Sequence, residues 1–427
     1  MAPHSFNRFT TVAALDIGSY KVCCVIAHIN KDDRFGEKIK IVGYGCSESK
    51  GIQKGVVIDN NQAALSICNA VEMAEQQANE RINKVIVNIS SDKAKSSIRH
   101  SIINLSKNRP INEEDLAKVL LGGISKVNTQ GYERIHCMGT NYQVDGEEYV
   151  KDPRGLYAEK LAIDILIGVL PDNLYRNIVS VVEGSRLAIE DRVFSAYADG
   201  LACLVEDEKE IGATIVDIGG GITNIATFRN GYPVQFSSIP VGGNNITRDI
   251  AWGLNTSVKH AESLKTLQGC TMLTSKDRNE NINVYPMGEE DDSSVRLVAK
   301  SELINIITYR VEELFELVSK KLDEHGLKNI TNHRVVLTGG CSHLVGIRNT
   351  ASIILDKQVR IGVPKNIANM PQALCNPEYS TVIGLLLFAL ELEEKNEYTE
   401  KHAIMATPQK EGEGVLRRIF GKLKQNF

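Results

Sequence analysis

Neither a phosphate-cradling G-x-x-x-x-G-K-[ST] loop nor a G-x-G-x-x-G fingerprint occurs anywhere in the 427 residues, so a P-loop NTPase or a dinucleotide oxidoreductase is not indicated. No apolar run approaches the roughly 20 residues a membrane span needs. The longest, Thr381 to Leu392, is too short. Met1 to Thr11 is polar and lacks the basic, apolar and small-residue succession of a secretory signal. The nine cysteines are an odd count without a C-x-x-C pair. Cys23, Cys24 and Cys203 sit inside apolar runs, as small core residues of a reducing compartment do. An excess of one charge is missing too: 49 Lys+Arg against 53 Asp+Glu leaves −4, which argues against nucleic acid as a partner. A cytoplasmic chain is expected, and its length calls for two lobes or more.

What the chain does contain is a repeated punctuation. Val12 to Leu15 runs into Asp16-Ile17-Gly18-Ser19-Tyr20-Lys21, and Thr214 to Val216 runs into Asp217-Ile218-Gly219-Gly220-Gly221-Ile222-Thr223-Asn224. Each copy is an apolar strand, an Asp, a glycine turn and a second strand. Such turns let backbone N–H groups converge on a phosphate, because glycine has no Cβ to hold the anion off. A carboxylate cannot face phosphate, so Asp16 and Asp217 are expected to reach a divalent cation through water. A tight hairpin accounts for the first copy alone; three successive glycines call for close backbone approach. A third strand, Val335 to Thr338, opens onto Gly339-Gly340-Cys341-Ser342, which suits backbone lying against a base or ribose.

Periodicity gives strands within 11–47, a helix over 61–79, and strand and helix alternation through 85–183. In the second half it predicts strands over 211–239, helices from Ile246 and Val258, and a polar loop over 274–294. A long helix from about Val298 to His325 and a last apolar helix over 377–393 follow, and the polar stretch from Glu394 is expected to be a solvated linker.

These elements, in this order, resemble the actin-like ATPase superfamily: Asp16-Ile-Gly-Ser its first phosphate motif, Asp217-Ile-Gly-Gly-Gly its second, Thr338-Gly-Gly its adenosine motif. Ala196 to Ala202 and Val382 to Leu386 resemble its two connecting helices. Within it, the chain from about Thr11 to Phe427 is similar to the FtsA family of bacterial cell-division proteins. Leu15 to Val22, Glu206 to Gly221 and Val241 to Ala251 carry that likeness. The resemblance implies an α/β, two-lobed fold of duplicated ribonuclease-H-like domains with a relocated α+β insert. The implied bounds are 11–90, 170–205 and 366–393 for the first lobe and 91–169 for the insert. They are 206–245 and 331–365 for the second lobe, 246–330 for its small subdomain, and 394–413 for a linker.

It further implies ATP with Mg2+, held by Gly18, Ser19, Tyr20 and Lys21 on one side and by Gly219, Gly220, Gly221, Thr223 and Asn224 on the other. Gly242, Gly243, Glu262, Lys265, Gly339, Gly340 and Ser342 fall toward the nucleoside. The family's second motif ends in Asp where this chain has Asn224, and an amide is not a base. ATP binding with weak or absent turnover is therefore expected, with no catalytic residue assigned. The implied partners are the C-terminal peptide of FtsZ, further copies of the chain in a polymer, and later division proteins. Arg296 and Lys300, taken as the start of the long helix, are candidates for the acidic FtsZ peptide.

On a helix, Val415, Leu416, Ile419, Phe420, Leu423 and Phe427 fall within an arc of roughly 140°. Arg417, Arg418, Lys422 and Lys424 take the other side. That pattern suits a helix (414–427) lying in an anionic membrane interface, at the cytoplasmic face of the inner membrane. A docked core helix or a solvated tail are its alternatives. For the whole chain, a pilus-assembly homologue or a small-molecule kinase of the same fold are the other readings.

Overall fold

The computed structural model describes residues 9–30, 38–125, 130–288, 294–327, 333–365 and 367–405, with backbone alone for 395–405. The chain opens with β1 (Phe9–Ile17), β2 (Lys21–Asn30) and β3 (Ile39–Glu48), then the small hairpin β4 (Ile52–Gln53) and β5 (Val56–Val57). Helix α1 (Asn60–Ala78) leads to β6 (Lys84–Ile89). An insert follows: β7 (Lys95–Asn104), α2 (Glu113–Ile124), β8 (Tyr132–Val144), β9 (Glu147–Val150) and β10 (Lys160–Pro171). Helix α3 (Asp172–Gly184) and β11 (Ala188–Phe194) rejoin the first sheet, and α4 (Ser195–Cys203) and α5 (Glu206–Ile211) lead onward. The second lobe holds β12 (Ala213–Ile218), β13 (Thr223–Arg229), β14 (Tyr232–Ile239), α6 (Gly243–Gly253) and α7 (Val258–Gln268). It continues with β15 (Asn281–Val284), β16 (Arg296–Ala299), α8 (Lys300–Glu324), β17 (Arg334–Thr338), α9 (Ile347–Leu355) and β18 (Val359–Ile361), and α10 (Ser380–Met405) follows.

Local chemistry sets the element ends. Asp59 caps α1 by accepting the N–H groups of Asn61 and Gln62, and Asn79 closes it in the left-handed conformation at φ 54°. Asn112 and Asp115 make a reciprocal capping box on α2. Every residue of β12 is buried, as a central strand covered on both faces requires.

The two large sheets are copies of one topology. Their orders are β3-β2-β1-β6-β11 and β14-β13-β12-β17-β18. In each, three antiparallel strands are followed by two added in parallel. Asp16 and Asp217 therefore stand at matching ends of matching strands, opposite Cys23 and Asn224 respectively. The insert is a separate sheet, β7-β10-β8-β9, with its own core of Ile163, Ile165 and Val119.

Helices α4 and α10 pack on each other, α10 also against β1 and β6 of the first sheet and α4 against β12 and β13 of the second. A Cβ on Gly384 would lie 1.8 Å from the Ala198 carbonyl oxygen, so only glycine allows this approach. Beside it Thr381 Oγ1 donates to Asp199 Oδ1 at 2.8 Å. Near this crossing, buried His136 of the insert packs on Phe194, Tyr197, Phe236 and Phe388, with centroids 5.4 to 6.2 Å away. Burial pushes its pKa down to about 3, and its Nε2 accepts the Phe194 N–H, so the ring is neutral.

Two expectations are corrected. Arg296 is not on the long helix: it lies on β16, paired with β15 inside the stretch expected to be a polar loop, and α8 begins at Lys300. Ile282, Val284 and Val298 are buried at alternate positions, a strand period too short to stand out among polar neighbours. The linker expected from Glu394 is helical to Met405 instead. Glu, Lys and Ala are good helix formers and no Gly or Pro interrupts 385–406; polarity removes a packing face but not the helix. The membrane helix proposed for 414–427 lies outside the described residues.

Replacing Gly384 by Ala should lower unfolding stability by about 2 kcal/mol or more through overpacking. Gly184→Ala, at an open site, should be near neutral; urea titrations of both variants check this, and equal midpoints would contradict the crossing constraint.

Candidate functional site

The two glycine turns are built alike. Gly18 N–H donates to the Lys21 carbonyl at 3.1 Å, and Gly219 N–H donates to the Ile222 carbonyl at 2.9 Å. They close against one another across the lobes. A Cβ on Gly221 would meet Ser19 Oγ at 2.9 Å, and one on Gly220 would meet Tyr20 Cβ at the same distance. Gly220 and Gly221 thus have a specific cause, because the opposite hairpin occupies the space, whereas Gly219 is held by its own turn. Behind the turns lies a cleft of about 400 Å³ walled by both lobes.

Its floor is carboxylate. Asp16 Oδ1 accepts from Asn88 Nδ2 at 2.8 Å, and Asp217 Oδ2 accepts from Asn224 Nδ2 at 2.9 Å. Burial, and then repulsion from Asp217, push Asp16 up to about 7 against the pull of Lys21. Burial pushes Asp217 up to about 6, opposed by the Asn224 hydrogen bond. The Asn224 carboxamide oxygen is saturated, since Oδ1 accepts from Ser90 at 3.0 Å and from Ser238 at 2.9 Å. Ser90 belongs to the first lobe, so this amide ties the lobes together.

Lys21 supplies the positive charge. Its Nζ is buried, lies 3.4 Å from the Tyr379 ring centroid and 3.5 Å from Glu378 Oε1, and has no hydrogen-bond acceptor among the described residues. An enclosed ammonium with unused donors fits an anion entering between the turns. At the far end Lys265 Nζ pairs with Glu262 at 2.7 Å and donates to Thr247 Oγ1 at 2.8 Å. Gly339 has φ +83°, and a Cβ there would sit 2.2 Å from Asp217 Oδ1.

The family model described as Cell division protein FtsA matches residues 214–384, and that of the SHS2 domain inserted in FTSA matches 92–168. The cell division protein FtsA of Agrobacterium fabrum is 33% identical over 436 residues, covering 100% of this chain and 97% of its own. The chain belongs to the FtsA family of cell division proteins. Its solved neighbours include the PilM-PilN type IV pilus biogenesis complex, at TM-score 0.59 and 14% identity, covering 89% of this chain and 98% of that one. MreB5 of Spiroplasma citri bound to ADP gives TM-score 0.53 and 14% identity, covering 91% and 98%. At that identity they show the fold alone, and it is the two-lobed actin-like one, carrying the FtsA insert.

In this FtsA-family cleft the walls include Asp16, Gly18, Ser19, Tyr20, Lys21, Asp217, Gly219 to Gly221, Asn224, Gly243, Glu262, Lys265, Gly339 and Gly340. Thr223, Gly242 and Ser342 are not on the wall. Thr223 is buried and donates to the Val241 carbonyl, Gly242 packs under Gly219, and Ser342 Oγ closes its own turn on the Gly339 carbonyl. They shape the cleft from behind. Sequence reasoning missed Asn88, Ser195, Glu378 and Thr381 on the wall. Asn88 had one usable signal, a polar residue near the end of an apolar strand. Among the described residues no three His, Cys, Asp or Glu come close enough to hold a metal ion. A cation held mainly by phosphate, with Asp16 and Asp217 reaching it through water, fits this arrangement.

Folded protein without a cation keeps protons on Asp16 and Asp217 that an unfolded chain releases near the ordinary value of 3.8. Their contribution to stability is therefore lost as pH rises from about 4 through 7. In metal-free buffer the Tm should fall between about pH 4 and 7, and Asp16→Asn should flatten that fall; a rising wild-type Tm would contradict it.

Proposed function

We propose that this FtsA-family chain binds ATP with Mg2+ in the interlobe cleft and holds it with little turnover. The observation that carries this is the buried Lys21 ammonium, with no hydrogen bond among the described residues and only a 3.5 Å ion pair to Glu378, between two matching glycine turns. Gly18 to Lys21 take the phosphates from the first lobe and Gly219 to Gly221 from the second. Glu262, Lys265, Gly339 and Gly340 hold the nucleoside. Mg2+ would neutralise the phosphates and lower the cost of ionising Asp16 and Asp217. The Asn224 amide does not titrate and both lone pairs of its oxygen are taken by Ser90 and Ser238, so nothing there takes a proton from an attacking water.

The bound chain polymerises, recruits later division proteins through the insert, and tethers FtsZ to the cytoplasmic face of the inner membrane. The acidic FtsZ peptide docks on the small subdomain of the second lobe. Trp252 and Leu297, 89% and 67% exposed, offer apolar surface there. Arg296 donates to the Leu254 carbonyl, and Lys300 is shared by Asp277 at 3.0 Å and Glu280 at 2.9 Å, so the peptide would compete for Lys300. The basic amphipathic 414–427 segment supplies the membrane contact, and polymer avidity makes its weak grip effective. A pilus-assembly role loses ground to the full-length FtsA likeness.

Lys21→Ala should weaken ATP binding about tenfold or more, read by calorimetry. Single-turnover hydrolysis should be far slower than nucleotide binding, and a fast burst would sink the holding mechanism. A chain ending at Gly412 should fail to pellet with anionic liposomes that carry down the full chain. Equal pelleting would remove the anchor.

A further inference from the structure

Cys23 on β2 and Cys46 on β3 are direct partners in an antiparallel pair, with their sulfurs 2.6 Å apart. Opposed residues of such a pair hold their Cβ atoms about 4.5–5.5 Å apart, which adjoins the roughly 3.5–4.5 Å a disulfide accepts. Bond formation needs little backbone movement. The other cysteines with hydrogen bonds meet oxygen: Cys203 meets Thr338 and Ser380, while Cys270 and Cys375 meet backbone carbonyls.

We propose that Cys23 and Cys46 form a reversible disulfide, a modification site for peroxide-class oxidants built into the first lobe beside the cleft. The two thiols differ in reach, for Cys23 is fully buried and Cys46 half-buried. Cys46 meets the oxidant first. Its sulfur attacks one peroxide oxygen, the O–O bond breaks, and a sulfenic acid and one water result. The Cys23 thiol then attacks that sulfur, the S–O bond breaks, and the disulfide forms with a second water. Two thiols and one hydrogen peroxide become one disulfide and two waters, so the sulfurs are oxidised and the peroxide reduced. A small thiol reverses the bond by exchange.

The position makes the bond consequential. Cys23 faces Asp16 across β1 and lies two residues beyond Lys21. Cys46 packs against the same first-lobe core as Tyr379, whose ring caps the Lys21 ammonium at 3.4 Å. Drawing Cys23 onto Cys46 shifts β2 at a point two residues past Lys21 and moves the ammonium off its seat on the Tyr379 ring. Weaker ATP binding in the oxidised chain follows; this effect rests on the nucleotide reading above, whereas the disulfide itself does not.

The test treats the full chain with hydrogen peroxide, blocks free thiols by alkylation and maps the digest by mass spectrometry. The expected product is a Cys23–Cys46 cross-linked peptide that dithiothreitol removes and that neither Cys46→Ser nor Cys23→Ser forms. The Kd for ATP should rise about fivefold on oxidation, the size of one weakened cation–π contact, in wild type but not in Cys46→Ser. Alkylation of both cysteines after peroxide, or Cys46 driven to sulfinic acid without a cross-link, would overturn the disulfide site. A cross-link with unchanged ATP affinity would overturn the coupling to the cleft. Absence of ATP binding in reduced protein too would count against the nucleotide reading, while the mass map still decides the disulfide.

Discussion

Contact between backbone and backbone at the crossing of α4 and α10 is the constraint on which the molecule depends. Gly384 lies where any side chain would enter the Ala198 carbonyl, so the two helices approach as closely as helices can. That approach brings Thr381 onto the buried Asp199, and it joins α10, packed on β1 and β6, to α4, packed on β12 and β13. The cleft is the space left over. Its width, and hence whether the two glycine turns meet, follows from a contact that includes no cleft-lining glycine.

Duplication supplies the rest of the geometry. One sheet topology, used twice, carries an Asp to the same end of the same strand in each lobe. Burial at the cleft floor raises both carboxylates, and Asp217 raises Asp16 further. The copies are not equivalent in their neighbours. Opposite Asp217 stands Asn224, an amide spent on holding the lobes together, and opposite Asp16 stands Cys23, a thiol with another thiol against it. Symmetry makes the pocket, and these two departures give each side its own chemistry.

Much of this was legible in the chain itself. Apolar runs ending in Asp and glycine are local patterns, and a strand followed by a tight turn keeps that character wherever it is placed. The turns at Gly18 and Gly219, the strand at Val335 and the long helix followed from such patterns. Short alternating segments did not: β15 and β16 have four residues each, too few for a period to rise above their polar surroundings. Thr223, Gly242 and Ser342 belong to the right motifs yet point behind the wall, because neighbours in sequence alternate sides along a strand or fold back into a turn.

The sequence by itself determined that this chain makes two strand–glycine-turn units with a carboxylate in each, since hydrogen bonding and the freedom of glycine act within a few residues. Only the tertiary structure decided what those units face. Asn88 reaches the cleft from a segment 72 positions from Asp16 and Glu378 from one 357 positions from Lys21, and burial and charge coupling act through space without regard to that separation.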